Sequence, residues 1–229
     1  MYYPRLLIFL LFLCLHSLGQ ETQLQFKAAF GTEDLIVGEH SFQSAEGEEI
    51  QISELKFYCS NIRFWQDETM IWEEPRSFHL VDCSSLPSCK IGFGQKINTA
   101  FNKISFDLGI DSITNISGAM GGDLDPTKGM YWTWQSGYIN FKLEGKHPLC
   151  TAVNKEFQIH LGGYQYPYQS LQEVILKVKN QNDIIICLNI EEVLKHIDWI
   201  NKSNIMSPST ESVLLAQKVA QAFSTTLTR

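Results

Sequence analysis

Basic residues are scarce in this sequence relative to acidic ones. The 229 residues include 18 Lys and Arg against 25 Asp and Glu, which gives a formal net charge of −7 at neutral pH. A surface with this excess of negative charge is repelled by phosphate backbones and by anionic lipid headgroups. Nucleic acid is therefore not an expected partner.

The sequence also has no apolar run long enough to span a membrane. Its longest run, Leu6–Leu15, has ten residues, whereas a transmembrane helix needs about 20. Arg5 precedes this run and Ser17-Leu18-Gly19 follows it, which is the order of a signal peptide and its cleavage site. We predict a signal peptide over residues 1–19, and a single periplasmic or secreted domain over 20–229 with no membrane span after cleavage.

Common catalytic and redox motifs are missing as well. The sequence has no CxxC, GxSxG, HExxH, Walker loop or GxGxxG after a strand, so thioredoxin-like chemistry, zinc ribbons and the frequent hydrolase classes are not indicated. The expectation is a protein that is not an enzyme. Five of the six cysteines follow the signal peptide, and an odd number leaves at least one thiol unpaired. Cys83 and Cys89, which flank a short polar loop, are the candidates for a disulfide.

Alternation of apolar and polar residues dominates the rest of the chain and predicts half-buried β-strands. The clearest cases are the segments 24–30, 104–108 and 157–161, and further strands are expected at 78–81, 130–143, 173–178 and 184–188. In segment 55–65 the apolar phase changes near Ser60-Asn61, which indicates a β-bulge. The predicted fold is all-β, an antiparallel β-sandwich of the immunoglobulin-like or jelly-roll-like kind.

One or two helices are expected at the C-terminal end. Asn189 can cap a helix, with Glu192 at the capping-box position. Ser207-Pro208 resembles an N-cap followed by proline at the first helical position, and an apolar stripe from Val213 to Phe223 follows it.

One segment is specific enough to carry a family resemblance. Residues 121–145 read GGDLDPTKGMYWTWQSGYINFKLEG, with FYCSNIR at 57–63, FDLGID at 106–111, HLGG at 160–163 and IMSP at 205–208 in the same order. This pattern resembles the MbnP-like family of bacterial copper-binding proteins. The similarity extends over nearly all of the chain after the signal peptide.

The resemblance implies an exported β-sandwich that binds or traffics copper. Some relatives carry a tryptophan oxidised to kynurenine, which is attributed to a partner di-haem protein of the cytochrome c peroxidase type. Trp132 and Trp134 are the candidates for modification or electron transfer in this chain. In a continuous strand they would lie on one face about 6.6 Å apart. An opened indole ring gains an amine and a ketone, either of which can join imidazoles around copper.

The histidines show no tight metal-binding spacing, so the ligand set stays open. His160, in the family-like HLGG segment and on the polar face of its strand, is the first candidate ligand, and His79 is the second. Copper-binding relatives carry a histidine in the segment matching residues 58–62, where this chain has Ser60. Soft sulfur donors such as Met130, Met206 or an unpaired cysteine are then alternative ligands for Cu(I).

Two other function classes remain open from the sequence. The first is an extracellular ligand-binding or adhesion module without metal, which would stack a sugar or polymer on Tyr164, Tyr166 and Tyr168. The second is an enzyme, which would require a cluster of catalytic residues that no motif in the sequence reveals.

Overall fold

A computed structural model describes residues 21–38, 40–179 and 181–225. The predicted signal peptide lies outside the described residues. The structure contains strands β1 Gln23–Phe30, β2 Glu33–Asp34, β3 Ser41–Gln43, β4 Glu49–Gln66, β5 Thr69–Glu73, β6 Phe78–Asp82, β7 Lys90–Gly92, β8 Lys103–Leu108, β9 Tyr131–Trp132, β10 Gly137–Lys146, β11 Glu156–Gly162, β12 Gln172–Lys177, β13 Asp183–Asn189, β14 Asn204–Ile205 and β15 Phe223–Ser224, with helices α1 Ser112–Ile116, α2 Ile190–Leu194 and α3 Thr210–Gln221. None of these helices is long and apolar enough to cross a membrane.

Two sheets make up the sandwich. The smaller sheet has the order β15-β13-β1-β2, with β7 also paired to β1. The larger sheet follows the path β12-β8-β4-β10-β11-β14, and the short strands β3, β5, β6 and β9 pair along it. The predicted β-sandwich with C-terminal helices is confirmed, but it is not wholly antiparallel. Both β1 with β13 and β11 with β14 run parallel.

The core lies between the two sheets and is rich in phenylalanine. Phe26 of β1 meets Phe57 and Phe106 of the larger sheet edge to face, with ring centroids 5.4 and 5.6 Å apart. Phe223 of β15 packs edge to face on Phe57 and on Phe106, at 5.5 Å from each. Aromatic pairs in this geometry add to the free energy of area burial, so this cluster fixes how the two sheets stack.

Strand β4 is the longest strand of the larger sheet, and it contains the predicted bulge. It pairs with β10 through its first half and with β8 through its second half, and the register shifts between Ser60 and Arg63. Asn61 adopts a left-handed conformation there, with φ 49°. The bulge moves the apolar residues from one phase of the strand to the other, as the sequence pattern indicates.

The two C-terminal helices begin close to the predicted positions. Asn189 caps α2, as predicted, by accepting a hydrogen bond from the backbone N–H of Glu191. The N-cap of α3 is Ser209 rather than the predicted Ser207, and its hydroxyl accepts from the backbone N–H of Ser212 at 3.1 Å. Pro208 therefore precedes the cap instead of opening the helix. Helix α3 buries Leu215, Ala216 and Val219 against the main core.

A second, smaller apolar cluster lies on the outer face of the larger sheet. Segment 109–136 crosses this face and covers it. The cluster consists of Tyr58, Leu80, Ile110, Leu124, Met130, Trp132, Tyr138 and Ile139. The cover is tied down by side-chain hydrogen bonds. The Tyr58 hydroxyl donates to the carbonyl of Asp123 at 3.0 Å, and the Asn115 side-chain oxygen accepts from the backbone N–H of Tyr138 at 2.8 Å. This covered face positions the candidate site.

The predicted single strand over 130–143 is wrong. It is a hairpin in which a four-residue turn, 133–136, joins β9 to β10, with Trp132 paired to Gly137. Ser136 has φ 51°, and the left-handed backbone at this point reverses the chain. The turn places Trp134 outside any strand, so the two tryptophans do not share a strand face.

Candidate functional site

A row of charged side chains runs across the outer face of the larger sheet, next to the covered apolar cluster. Lys142 of β10 lies between two carboxylates, with its Nζ 2.8 Å from Glu54 and 3.3 Å from Glu144. Its side chain is only 12% exposed. His160 of β11 pairs directly with Lys142 in the ladder and extends the row to the next strand. The β-sheet register therefore places an imidazole at the end of a partly buried ion-pair network.

His160 is held in one tautomer by its neighbour. Its Nε2 lies 2.7 Å from Oε1 of Glu144. An ionised carboxylate only accepts hydrogen bonds, so Nε2 carries the proton and Nδ1 of the neutral ring keeps a free lone pair. The structure gives Nδ1 no hydrogen-bond partner although it is buried. A histidine that donates one N–H to a carboxylate and leaves the other nitrogen free has the arrangement of a metal ligand.

The electrostatic environment keeps the His160 ring neutral. Burial lowers its pKa below the ordinary 6.5, and the positive charge of Lys142 acts in the same direction, whereas Glu144 opposes both. Glu54 stays ionised beside them. Burial alone would raise its pKa, but hydrogen bonds from Lys142 and Lys56 bring the net shift below the ordinary value. At neutral pH the site thus presents an uncharged imidazole nitrogen next to compensated charges.

Trp132 lies on the same face, one row further along β11. A Cβ placed on Gly162 would come within 2.6 Å of Trp132 Cζ3, so the indole ring lies directly on the Gly162 backbone. His160 precedes Gly162 by two residues and shares its face, about 7 Å away along the strand. Trp132 is 5% exposed, and its Nε1 is buried without a hydrogen-bond partner.

Only three buried side-chain polar atoms lack a partner among the described residues, and two of them are these neighbours. They are His160 Nδ1 and Trp132 Nε1, and the third is the Ser77 hydroxyl. Burying a polar atom without a partner costs about 1–3 kcal/mol. Unpartnered buried atoms of this kind are uncommon in native structures, which makes this place the candidate site.

Trp134 connects this site to the surface. It is 66% exposed, and its ring centroid lies 5.7 Å from that of Trp132, with the planes inclined by 42°. The two indoles are thus in contact although they do not share a strand. An exposed ring that touches a buried one offers a path between solvent and the interior.

His79 and Ser60 do not join His160. His79 lies on β6 opposite Cys59, on the face of the main core, while His160 lies on the other face. Three strand spacings separate them, about 14 Å, and His79 Nε2 contacts Glu74 at 2.9 Å. Ser60 is buried, and its hydroxyl donates to the carbonyl of Gly109 at 2.7 Å. Ser60 therefore has a structural role, holding the start of the cover to β4.

The predicted Cys83–Cys89 disulfide is not formed in the structure. All five cysteines of the described residues are free thiols. Cys83 and Cys89 nevertheless line the same cavity, and each thiol shifts the pKa of the other.

The sequence reasoning missed Glu144 and Gly162. Along β10, Lys142 and Glu144 alternate with buried residues, which is the usual pattern of a strand with one face toward solvent. The available signal was the matching polar alternation in Gln158 and His160 on the next strand. It shows that polar residues of neighbouring strands meet on one face.

Comparison with known proteins places the chain in a family. The family model MbnP matches residues 19–207. The chain belongs to the MbnP family. The solved structure of MbnP from Methylosinus trichosporium matches with a TM-score of 0.63, covering 85% of this chain and 87% of that chain at 12% sequence identity. At this identity the match shows a shared fold. A search of curated proteins finds no significant match.

Proposed function

We propose that this MbnP-family protein is an exported copper-binding or copper-trafficking protein without enzymatic activity of its own. The observation that carries the proposal is the buried, unpartnered Nδ1 of His160, whose ring is oriented through Nε2 by Glu144. Imidazole nitrogen is a good ligand for copper, and a carboxylate on the second nitrogen raises its basicity.

The protein side chains alone provide an incomplete ligand set. The described residues contain no group of three or more His, Cys, Asp or Glu side chains placed to bind a metal. A donor of another kind is needed beside His160, and the proposal assigns this role to Trp132 after oxidation, because its ring packs on Gly162, two residues along β11. Kynurenine carries an aromatic amine and a ketone, so the orphaned indole would become a ligand. The thioether of Met130, buried in the same cluster, is a further soft donor.

The arrangement of the tryptophans supports maturation by an external oxidant. Trp132 is buried, so a partner protein cannot touch it directly, whereas Trp134 is exposed and in contact with it. We propose that a di-haem cytochrome c peroxidase-like partner withdraws four electrons from Trp132 through Trp134. Two water molecules supply the oxygen atoms of N-formylkynurenine, and its hydrolysis releases formate and leaves kynurenine at Trp132.

Copper binding is tested by titrating the purified chain with Cu(I) and Cu(II) and counting metal retained after dialysis. His160→Gln is expected to lose the metal, and Glu144→Gln to weaken it by about 10–100-fold, the usual effect of losing a partner of a metal ligand. His79→Gln is the matched control, since that ring lies on the opposite face and should leave binding unchanged. Equal retention by His160→Gln and His79→Gln would remove the basis for this site.

Oxidation is tested by intact mass spectrometry of protein from its native host. Kynurenine formation adds one oxygen atom and removes one carbon atom from the chain. We expect this change to map to Trp132, to disappear in Trp132→Phe and to slow in Trp134→Phe. Modification confined to Trp134, or an unmodified chain from a host that contains the partner, would contradict the maturation model.

One observation favours a second function, a ligand-binding module without metal. A cavity of about 320 Å³ is lined by Tyr164, Tyr166 and Tyr168 with the amides of Gln135 and Gln165. Tyr166 is 88% exposed. Flat aromatic rings beside amide groups suit a sugar. Glycan-array binding that disappears in Tyr166→Ala would support this function. An array without any hit would favour copper binding over sugar binding.

A further inference from the structure

The Cys83 and Cys89 thiols lie at the two ends of a short loop that hydrogen bonds of Ser88 close. Cys83 follows β6, and Cys89 ends a turn of 3-10 helix, Leu86–Cys89. The Ser88 hydroxyl donates to the carbonyl of Asp82 at 2.6 Å, and the Cys89 thiol donates to the same carbonyl at 3.6 Å. These contacts hold Ser88 and Cys89 against the end of β6, immediately before Cys83.

The two thiols differ in their readiness to react. The hydrogen bond from Cys83, assisted by Ser88, lowers the pKa of Cys89 to about 7 from the ordinary 9.0, against the effect of burial. The same hydrogen bond raises the pKa of Cys83. Burial raises the pKa of Cys59 and Cys187. Cys89 thus has the character of an attacking thiol, and Cys83 that of a resolving thiol.

A cavity gives reagents access to the pair. It measures about 280 Å³ and lies between the loop and strands β1 and β2, with both cysteines in its wall. Phe26, Leu35 and Leu86 provide its apolar surface, and Lys27 and Asp34 add one charge of each sign. Such a pocket has room for a small disulfide or for the exposed disulfide of another chain.

We propose that Cys83 and Cys89 form a reversible dithiol–disulfide site that exchanges with small or exposed disulfides at this cavity. The Cys89 thiolate attacks one sulfur of the substrate disulfide, the substrate S–S bond breaks, and the departing thiolate takes up a proton. Cys83 then loses its proton and attacks the Cys89 sulfur, which releases the second substrate thiol. Two electrons pass from the cysteine pair to the substrate disulfide. The site is independent of copper and of the tryptophans.

The first test measures reactivity on the intact wild-type chain. At pH 7 a thiol with a pKa of about 7 is about half ionised and one with a pKa of about 9 about 1% ionised, while nucleophilicity falls with pKa with a slope of about 0.4–0.5. Cys89 should therefore react with iodoacetamide about five- to eightfold faster than an ordinary thiol, with a rate midpoint near pH 7. Cys89 is 7% exposed and lies in the wall of the cavity, whereas Cys59 and Cys150 are 0% exposed. Cys59 and Cys150 are therefore internal controls that react only after denaturation. Cys83→Ser, which keeps a hydroxyl donor, should preserve the midpoint, whereas Cys83→Ala should raise it.

The second test follows the redox equilibrium of the wild-type chain in glutathione buffers. We expect loss of two hydrogen atoms at this pair as the oxidised fraction rises, and return when reduced glutathione is in excess. In Cys83→Ser, oxidised glutathione should remain attached to Cys89 as a mixed disulfide, and Cys89→Ser should not be modified at Cys83. A pair that never oxidises, or that stays closed in excess reduced glutathione, would overturn the proposal. The second result would make it a structural disulfide.

Discussion

Replacement of Gly162 by alanine tests whether the Trp132 ring lies where the site requires it. A methyl group at this position would come within 2.6 Å of Trp132 Cζ3, 2.9 Å of Cη2 and 2.8 Å of the Tyr138 carbonyl oxygen. Carbon atoms in contact prefer about 3.5–4.0 Å, so the indole must move by about 1 Å. It has little room to move, because it belongs to the apolar cluster beneath the cover.

The expected cost of Gly162→Ala is about 1–3 kcal/mol, the range for an overpacked site. For a domain of this size that lowers the melting temperature by roughly 2–12 °C. Gly121→Ala is the control, since its added methyl group meets no atom within 4 Å. Urea unfolding followed by circular dichroism measures both variants. If Gly162→Ala proves as stable as Gly121→Ala, the ring does not lie on the β11 backbone, and the neighbourhood of His160 and Trp132 loses its basis.

Three further predictions concern the core, the helix cap and pH. Phe223→Ala should lower the free energy of unfolding by about 3–5 kcal/mol in a urea titration, since its ring joins the sheets. Leu214→Ala, at a site 55% exposed, should lower it far less. Equal losses would contradict the packing described. Ser209→Ala should lose about 0.5–2 kcal/mol through the missing cap of α3, as measured by thermal unfolding, and Ser209→Asn should restore most of it. Burial holds the pKa of His160 and His147 below 6.5, so the folded state binds fewer protons than the unfolded chain. The free energy of unfolding should therefore be highest above pH 6.5 and fall below it. A urea midpoint that does not change between pH 7 and 5 would refute this, and replacing both histidines by glutamine should reduce the dependence of the midpoint on pH.

Local pattern was sufficient for most of the longer strands and for the bulge in β4. Alternation depends on which face each residue presents, and the change of phase at Ser60-Asn61 records the extra residue directly. No local sequence pattern indicates that β1 pairs with β13 in parallel. This pairing joins Gln23 to Asp183, 160 positions apart, and only the closure of the whole sandwich brings them together. The hairpin at 133–136 was missed because Ser136 is the only common turn residue among these four, and a single serine is a weak turn signal.

The site was predictable in part for the same reason. His160 stood out by its position on the polar phase of its strand, but the sequence does not show that this polar face is covered. Segment 109–136 covers the part of this face around Tyr58 and Tyr138. In the charged row beside it His160 is buried, whereas Lys142 and Glu144 are partly exposed. The significance of Glu144, and the choice of Trp132 over Trp134 as the buried ring, follow only from that tertiary contact.

The cover itself argues for a function at the His160 and Trp132 pair. Other polar groups of the cover form hydrogen bonds. The Tyr138 hydroxyl contacts the Met120 N–H at 3.0 Å and the Leu124 carbonyl at 3.1 Å, and the Asn115 side chain bonds three backbone groups. These groups have partners, whereas one imidazole nitrogen and one indole N–H are buried without any. Burying these two atoms lowers stability, and packing alone does not require it. Under the proposed function, a metal on Nδ1 would remove one penalty, and oxidation of Trp132 would replace the unpartnered indole N–H by an amine.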